Sequence, residues 1–190
     1  MMRPGPQIVV IGASAGAVDA LGAILPSIPE DSGLSILVVV HVPPDKRSVM
    51  AELFRAKCRL MVVEAEDKMP IEPGVVYFAP PDYHLQVEAD KTLSLSGDEP
   101  VLYSRPSIDV LFESAAEALG PLLIGLILTG ANQDGANGMA AIVGAGGIGI
   151  VQDPRTAFAP AMPEAAIAAC PQVRVLALAE ISTFLREVEV

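Results

Sequence analysis

Three residues of this chain have the types and surroundings that nucleophilic catalysis needs: Ser14, His41 and Asp134. Ser14 lies in Gly12-Ala13-Ser14-Ala15-Gly16, a G-x-S-x-G sequence between an apolar run and an amphipathic one. Between a strand and a helix, such a turn leaves the hydroxyl exposed beside free helix N–H groups that can stabilise an oxyanion. A Gly- and Ser-rich first turn can equally cradle a phosphate. However, Ser14 and Ala17 stand at the second and third glycine positions of G-x-G-x-x-G, and no Walker lysine follows. A serine nucleophile needs a base. His41 ends the apolar run Leu34 to His41, whereas His84 follows Pro80-Pro81-Asp82. Position favours His41, because a parallel sheet would bring it to the same edge as Ser14. The acid that holds the tautomer is sought at strand ends as well, at Asp134 in Thr129-Gly-Ala-Asn-Gln-Asp-Gly135 or at Asp153 before Pro154. Asp134 also reads as a helix N-cap, and Asp153 as a turn former. The chain order Ser14, His41, Asp134 differs from the Ser, acid, His order of α/β-hydrolases and argues against that fold.

Residues so far apart in sequence meet only if the strands carrying them end at one edge of a sheet. The chain supplies that rhythm. Strands are expected at Gln7 to Gly12, Leu34 to His41 and Leu60 to Glu64, with helices over Ala17 to Ile28 and Ser48 to Lys57. Gly74 to Ala79, Tyr83 to Glu88 and Lys91 to Leu95 read as strands without intervening helices, hence an antiparallel hairpin insert at about 74–96. Alternation resumes with a helix over Pro106 to Leu119, a strand over Leu122 to Leu128 and a helix over Gly135 to Val143. A strand at Ile148 to Val151, a helix at Pro163 to Ala169, a strand at Val173 to Leu176 and a helix from Ala179 complete it. The expectation is one unit over residues 1–190: an α/β fold with a doubly wound, mostly parallel, Rossmann-like three-layer sheet and a β-hairpin insert.

Composition narrows the function. Of 190 residues, 12 are Lys or Arg and 23 are Asp or Glu, a net charge of −11 that argues against nucleic acid and anionic membrane surfaces as partners. Cys58 and Cys170 stand alone and read as reduced packing residues, and two histidines do not make a His-rich metal site. No cofactor is expected. The uncharged stretch Gly135 to Gln152 holds six glycines and divides into helix and strand, so no membrane insertion is expected. Met1-Met2-Arg3 and the following apolar run mimic a secretory signal. The run is short, follows Pro4 and Pro6 and ends in a Gly-rich turn, so it reads as the first strand of the mature fold of a cytoplasmic protein.

From about Ile8 to Phe184 the chain resembles the catalytic domain of CheB-type chemotaxis receptor protein-glutamate methylesterases. The resemblance rests on Ile11-Gly-Ala-Ser-Ala-Gly16, His41-Val-Pro-Pro44, Glu64-Ala-Glu-Asp67, Tyr77-Phe-Ala-Pro-Pro-Asp-Tyr-His84 and Arg105-Pro-Ser-Ile-Asp-Val-Leu-Phe112. It continues in Leu128-Thr-Gly130, Asp134-Gly-Ala136 and Met162-Pro163. It implies Ser14 as nucleophile, His41 as base and Asp134 as acid. The reaction implied is hydrolysis of glutamyl γ-methyl esters on chemoreceptor cytoplasmic helices, with release of methanol and deamidation of some receptor glutamines. The backbone N–H groups of Ala15 and Ala131 are the oxyanion candidates, and Arg105 the substrate-binding candidate. Two departures stand out: Ala17 replaces the second of a glycine pair, and Ala131-Asn132 replaces Met-Gly in the family's T-G-M-G-x-D-G. Many members carry an N-terminal receiver domain. The expectation here is a catalytic domain without that switch in cis, working alone or under a separate regulatory protein. The competing readings are a catalytically silent signalling or binding module of the same fold, motivated by the altered loop, and a nucleotide-binding protein using Gly12 to Gly16.

Overall fold

Ile8–Ala13 (β1) and Ser35–Val40 (β2) are buried at every position. Near-continuous apolar runs of this kind form where helices cover both faces of a parallel sheet, so side chains pointing either way are out of water. The structure, a computed structural model, describes residues 8–42 and 49–188. The segment 1–7, which includes Gln7, and Pro43, Pro44 and Ser48 lie outside the described residues. β1 and β2 are joined in one sheet by Met61–Glu64 (β3), Val75–Phe78 (β4), Leu123–Ile127 (β7), Ile148–Gln152 (β8) and Arg174–Leu176 (β9). The order is β3-β4-β2-β1-β7-β8-β9, and every pairing is parallel.

Alternate residues of the strands feed two cores. Val9, Ile11 and Ala13 of β1 pack with Leu21 and Ile24 of α1 (Ala17–Ile24), Phe54 of α2 (Met50–Arg55) and Ile181 and Leu185 of α6 (Leu178–Glu187). Ile8 and Val10 face the other layer, with Leu111 and Phe112 of α3 (Ile108–Leu119), Met139 of α4 (Ala136–Gly144) and Ala166 of α5 (Ala161–Ala169). The result is a three-layer α/β/α fold. Cys170 belongs to the second core while Cys58 packs against the first, and both thiols are free. The chain leaves β1 toward β2, β4 and β3, then returns to β1's other side with β7. The strand order thus reverses at β1, and a crevice opens beyond the carboxyl ends there.

The expected insert is narrower than 74–96. Val75–Phe78 pairs in parallel with both β2 and β3, so it belongs to the main sheet. Only His84–Val87 (β5) and Leu93–Ser96 (β6) form the antiparallel hairpin. Leu85, Val87 and Leu93 pack in the α3 core, and Ser114 Oγ accepts the Val87 amide at 3.1 Å, which seats the hairpin on α3. α3 begins at Ile108 and not at Pro106, because Ser107 is its N-cap, accepting from the Val110 amide. α1 ends at Ile24, where Pro26 turns the chain into a single 3₁₀ turn, Leu25–Ser27. Among the described residues no helix is long and apolar enough to cross a membrane.

Candidate active site

The three strand ends converge. In the β1–β2 register Ala13 pairs with Val40, so Ser14 and His41 are the next positions on neighbouring strands. The His41 amide continues the ladder, donating to Ala13 O at 3.2 Å. Asp134 comes from the loop after β7, on the other side of β1. It reaches His41 directly: Nε2 lies 2.7 Å from Asp134 Oδ2. A carboxylate accepts, so Nε2 carries the proton and Nδ1 is left as the free nitrogen. Among the described residues neither His41 Nδ1 nor Ser14 Oγ has a hydrogen-bond partner.

Asp134 is fully buried, which would ordinarily disfavour its charge. Four donors converge on it: His41 Nε2, Ser107 Oγ at 3.0 Å, and the amides of Ile108 and Asp109 at 2.7 and 2.9 Å. The last two are the first N–H groups of α3, free of intrahelical partners, and the helix dipole points its positive end at the carboxylate. Burial pushes the Asp134 carboxyl up, but the bonds from His41, Asp109 and Ile108 outweigh it and hold it below the usual carboxylate range. Asp134 therefore does not cap the helix that follows it. Gly135 is the N-cap of α4, and Asp134's side chain serves α3 instead. Gly12 permits the approach, since a Cβ there would meet Ile108 Cγ2 at 2.4 Å.

The nucleophile turn is fastened by a residue that sequence reasoning did not single out. Thr129 O accepts the Ser14 amide at 2.9 Å; its hydroxyl donates to Ala15 O at 2.8 Å and accepts the Ala159 amide at 2.9 Å. Gln152, buried, accepts the Thr129 amide at 3.0 Å. The Ser14 amide is thus engaged, while those of Ala15 and Ala131 have no partner among the described residues. The left-handed step falls at Gly16, φ +83°, and Ser14 itself has no positive φ. This distinguishes the turn from the strained elbow of α/β-hydrolases. Asn132, one of the two departures in the loop, uses Oδ1 to accept the Asp134 amide at 3.0 Å.

The remaining candidates do other work. His84 is buried against α3, away from solvent, with both ring nitrogens bonded to backbone groups. Asp153 pairs with Arg155 at 2.6 Å and caps the 3₁₀ turn Pro154–Thr156. Arg105 pairs with Asp82 at 2.6 Å and donates to Gly97 O and Asp98 O, both at 3.0 Å. It ties the hairpin to the segment leading into α3 and leaves one N–H of its five. A cleft of about 330 Å³ opens beside His41, walled by Arg105, Asp82, Pro106 and Tyr103. Tyr103 is fully exposed, and Phe158, 82% exposed, lies against Gly16. Among the described residues no group of three or more His, Cys, Asp or Glu side chains could hold a metal ion.

A model of the CheB methylesterase family matches residues 9–185. A Leptospira interrogans (serovar Lai) protein, provisionally named a protein-glutamate methylesterase/protein-glutamine glutaminase, is 46% identical over 176 residues, 93% of this chain and 91% of that one. A protein-glutamate methylesterase/protein-glutamine glutaminase of a Nocardioides species is 39% identical over 180 residues, 93% of this chain. The chain spans about half of that relative's length, 49%. The crystal structure of the Thermotoga maritima CheB methylesterase catalytic domain superposes with a TM-score of 0.92 at 34% identity, covering 97% of this chain and 99% of that one.

Proposed function

The chain belongs to the CheB methylesterase family, and from the geometry of its site we propose that it is a protein-glutamate methylesterase working as a serine hydrolase. Its substrates are glutamyl γ-methyl esters on the cytoplasmic helices of chemoreceptors, and its products are methanol and the free glutamate. Particular receptor glutamines are deamidated at the same site. The protein acts in the cytoplasm, where those helices lie, alone or under a separate regulatory protein.

Ser14 Oγ attacks the ester carbonyl and its proton passes to His41 Nδ1, the nitrogen that Asp134's hold on Nε2 leaves free. The N–H groups of Ala15 and Ala131 receive the oxyanion. His41 then protonates the departing methoxide. Water, losing a proton to the same nitrogen, attacks the glutamyl-serine ester, and His41 returns that proton to Ser14. In deamidation ammonia leaves in place of methanol. Asp134 keeps the ring in one orientation and stabilises the imidazolium formed in each half-reaction. Arg105 contributes a wall of the cleft and one remaining N–H rather than a free cation, since Asp82 neutralises it.

The observation that carries this reading is the 2.7 Å contact between buried Asp134 and His41, which follows Val40 as Ser14 follows Val40's register partner Ala13. Asn132 supports it over a silent module, because the altered loop holds the Asp134 amide instead of releasing it. Methanol release from membranes bearing methylated chemoreceptors tests the proposal, with Ser14→Ala and His41→Ala as folded controls. Release by the wild type alone is expected. Receptor binding without release would identify the silent module.

A further inference from the structure

Behind Asp134 runs a line of buried hydrogen bonds that the ester chemistry does not itself consume. It begins at His84, 1% exposed, whose Nε2 lies 2.9 Å from Glu99 O and whose Nδ1 lies 3.1 Å from the Ser107 amide. A carbonyl oxygen only accepts and a backbone N–H only donates. Nε2 therefore carries the proton, Nδ1 carries the lone pair, and the ring is neutral with both nitrogens assigned. Ser107 is wholly buried. Its hydroxyl oxygen accepts from the Val110 amide as the α3 cap, which leaves its single proton for Asp134 Oδ1, 3.0 Å away. Asp134 in turn holds His41.

We propose that His84 and Ser107 are positioning residues: His84, kept in one tautomer by the Glu99 carbonyl, anchors Ser107, whose hydroxyl fixes the Asp134 carboxylate and tempers its pull on His41. The inference rests on reading His41 as the base. Its effect on His41 exists whether or not an ester is hydrolysed.

Two of the donors on Asp134 are amides locked into α3, and the third besides His41 is the Ser107 hydroxyl. It is the one donor besides His41 that a side-chain substitution can delete, and the same substitution removes the α3 cap. Without it, the charge on Asp134 is shared among fewer donors and falls more heavily on the bond to His41 Nε2. The carboxylate also gains freedom to turn, and the ring is aimed less firmly at Ser14. Among the described residues the other charged groups near this pair are Asp82 and Arg105, which line the cleft with His41, and Asp109 on α3 behind Asp134, with Glu113 beside Asp109 in turn. None changes in the variants below.

With only two histidines in the chain, NMR can follow His41 and His84 separately. In Ser107→Ala the NMR signal of the His41 Nε2 proton is expected to move at fixed pH, because its acceptor Asp134 has lost a donor. The kcat on methyl ester is expected to fall about tenfold, the worth of one hydrogen bond to a charged group, with KM within about twofold. Ser107→Thr, which keeps the hydroxyl, restores both. His84→Asn places an amide oxygen where Nδ1 stands and is expected to behave as wild type, whereas His84→Leu behaves as Ser107→Ala. An Ala variant whose His41 Nε2 proton signal and turnover match the wild type overturns the proposal. So do equal losses in the Ala and Thr variants, which would make Ser107 a packing residue only. If the wild type releases no methanol, the ester reading fails, while the His41 Nε2 proton signal still decides the relay.

Discussion

Asp109 offers a quantitative test of the electrostatics around the site. It lies on the first turn of α3, 5% exposed, with Oδ1 accepting the Gly138 amide at 2.7 Å. Burial raises its carboxyl most; the Gly138 bond lowers it, and the negative charges of Asp134 and Glu113 raise it again, to about 6. The unfolded chain returns it to an ordinary value near 4. A shift of about two units is worth about 3 kcal/mol. The sign follows from proton counting. Between the two values the folded state binds more protons than the unfolded state, so stability falls as pH rises through that window and levels off above about 6. Asp109→Asn removes the charge and keeps an oxygen for the Gly138 amide. The variant should match the wild type near pH 4 and exceed it by up to about 3 kcal/mol at pH 8, or about 6–12 °C in Tm for a domain of this size. Urea denaturation of both proteins from pH 4 to 8 measures the difference. A gap that stays constant across that range, or favours the wild type at pH 8, would refute the reasoning.

Asp134→Asn should lower kcat about 10⁴-fold, as expected when the acid of a triad no longer holds the base's tautomer. It should also cost about 1–3 kcal/mol of stability for each donor left facing the new amide group, measurable by urea denaturation at pH 7. Because Asp134 is held below the usual carboxylate range, the wild type's advantage over this variant should be present above about pH 4. It should disappear as pH falls further, through the lowered folded value. Thr129→Val keeps the shape but deletes the hydroxyl that joins Ala15 O to the Ala159 amide. It should destabilise the fold by about 1–3 kcal/mol in thermal denaturation and lower kcat more than it changes KM.

The meeting of Ser14 and His41, with Asp134 reaching His41, was legible in the sequence because the first two follow strand ends and Asp134 lies in the loop after a third, and a parallel sheet turns strand ends into neighbours. The doubly wound class was legible for the same reason, in the unbroken apolar runs of β1, β2 and β7. Val75–Phe78 was misassigned to the insert because a short apolar run reads alike in a hairpin or a central strand. Its pairing with β2 and β3 is decided by partners 40 and 14 residues away. The supporting groups were illegible on the same grounds. Thr129 acts on Ala15 and Ser107 on Asp134 through contacts across 114 and 27 residues, and nothing local marks a Thr or Ser for such work. The N-cap reading of Asp134 failed because α3 offers its carboxylate two amides and a hydroxyl, while Gly135 serves α4. Arg105, offered as a substrate contact, lines the cleft beside His41 and is bonded to Asp82 and two carbonyls, partners that nothing local announces.

Labelling with a serine-directed fluorophosphonate, mapped by peptide mass spectrometry, tests most directly that Ser14 is a nucleophile activated by His41 and Asp134. The account predicts one adduct, on the peptide containing Ser14, strongly reduced in His41→Ala although that variant stays folded. No adduct on the wild type, an adduct on another serine, or undiminished labelling of the His41 variant would contradict it.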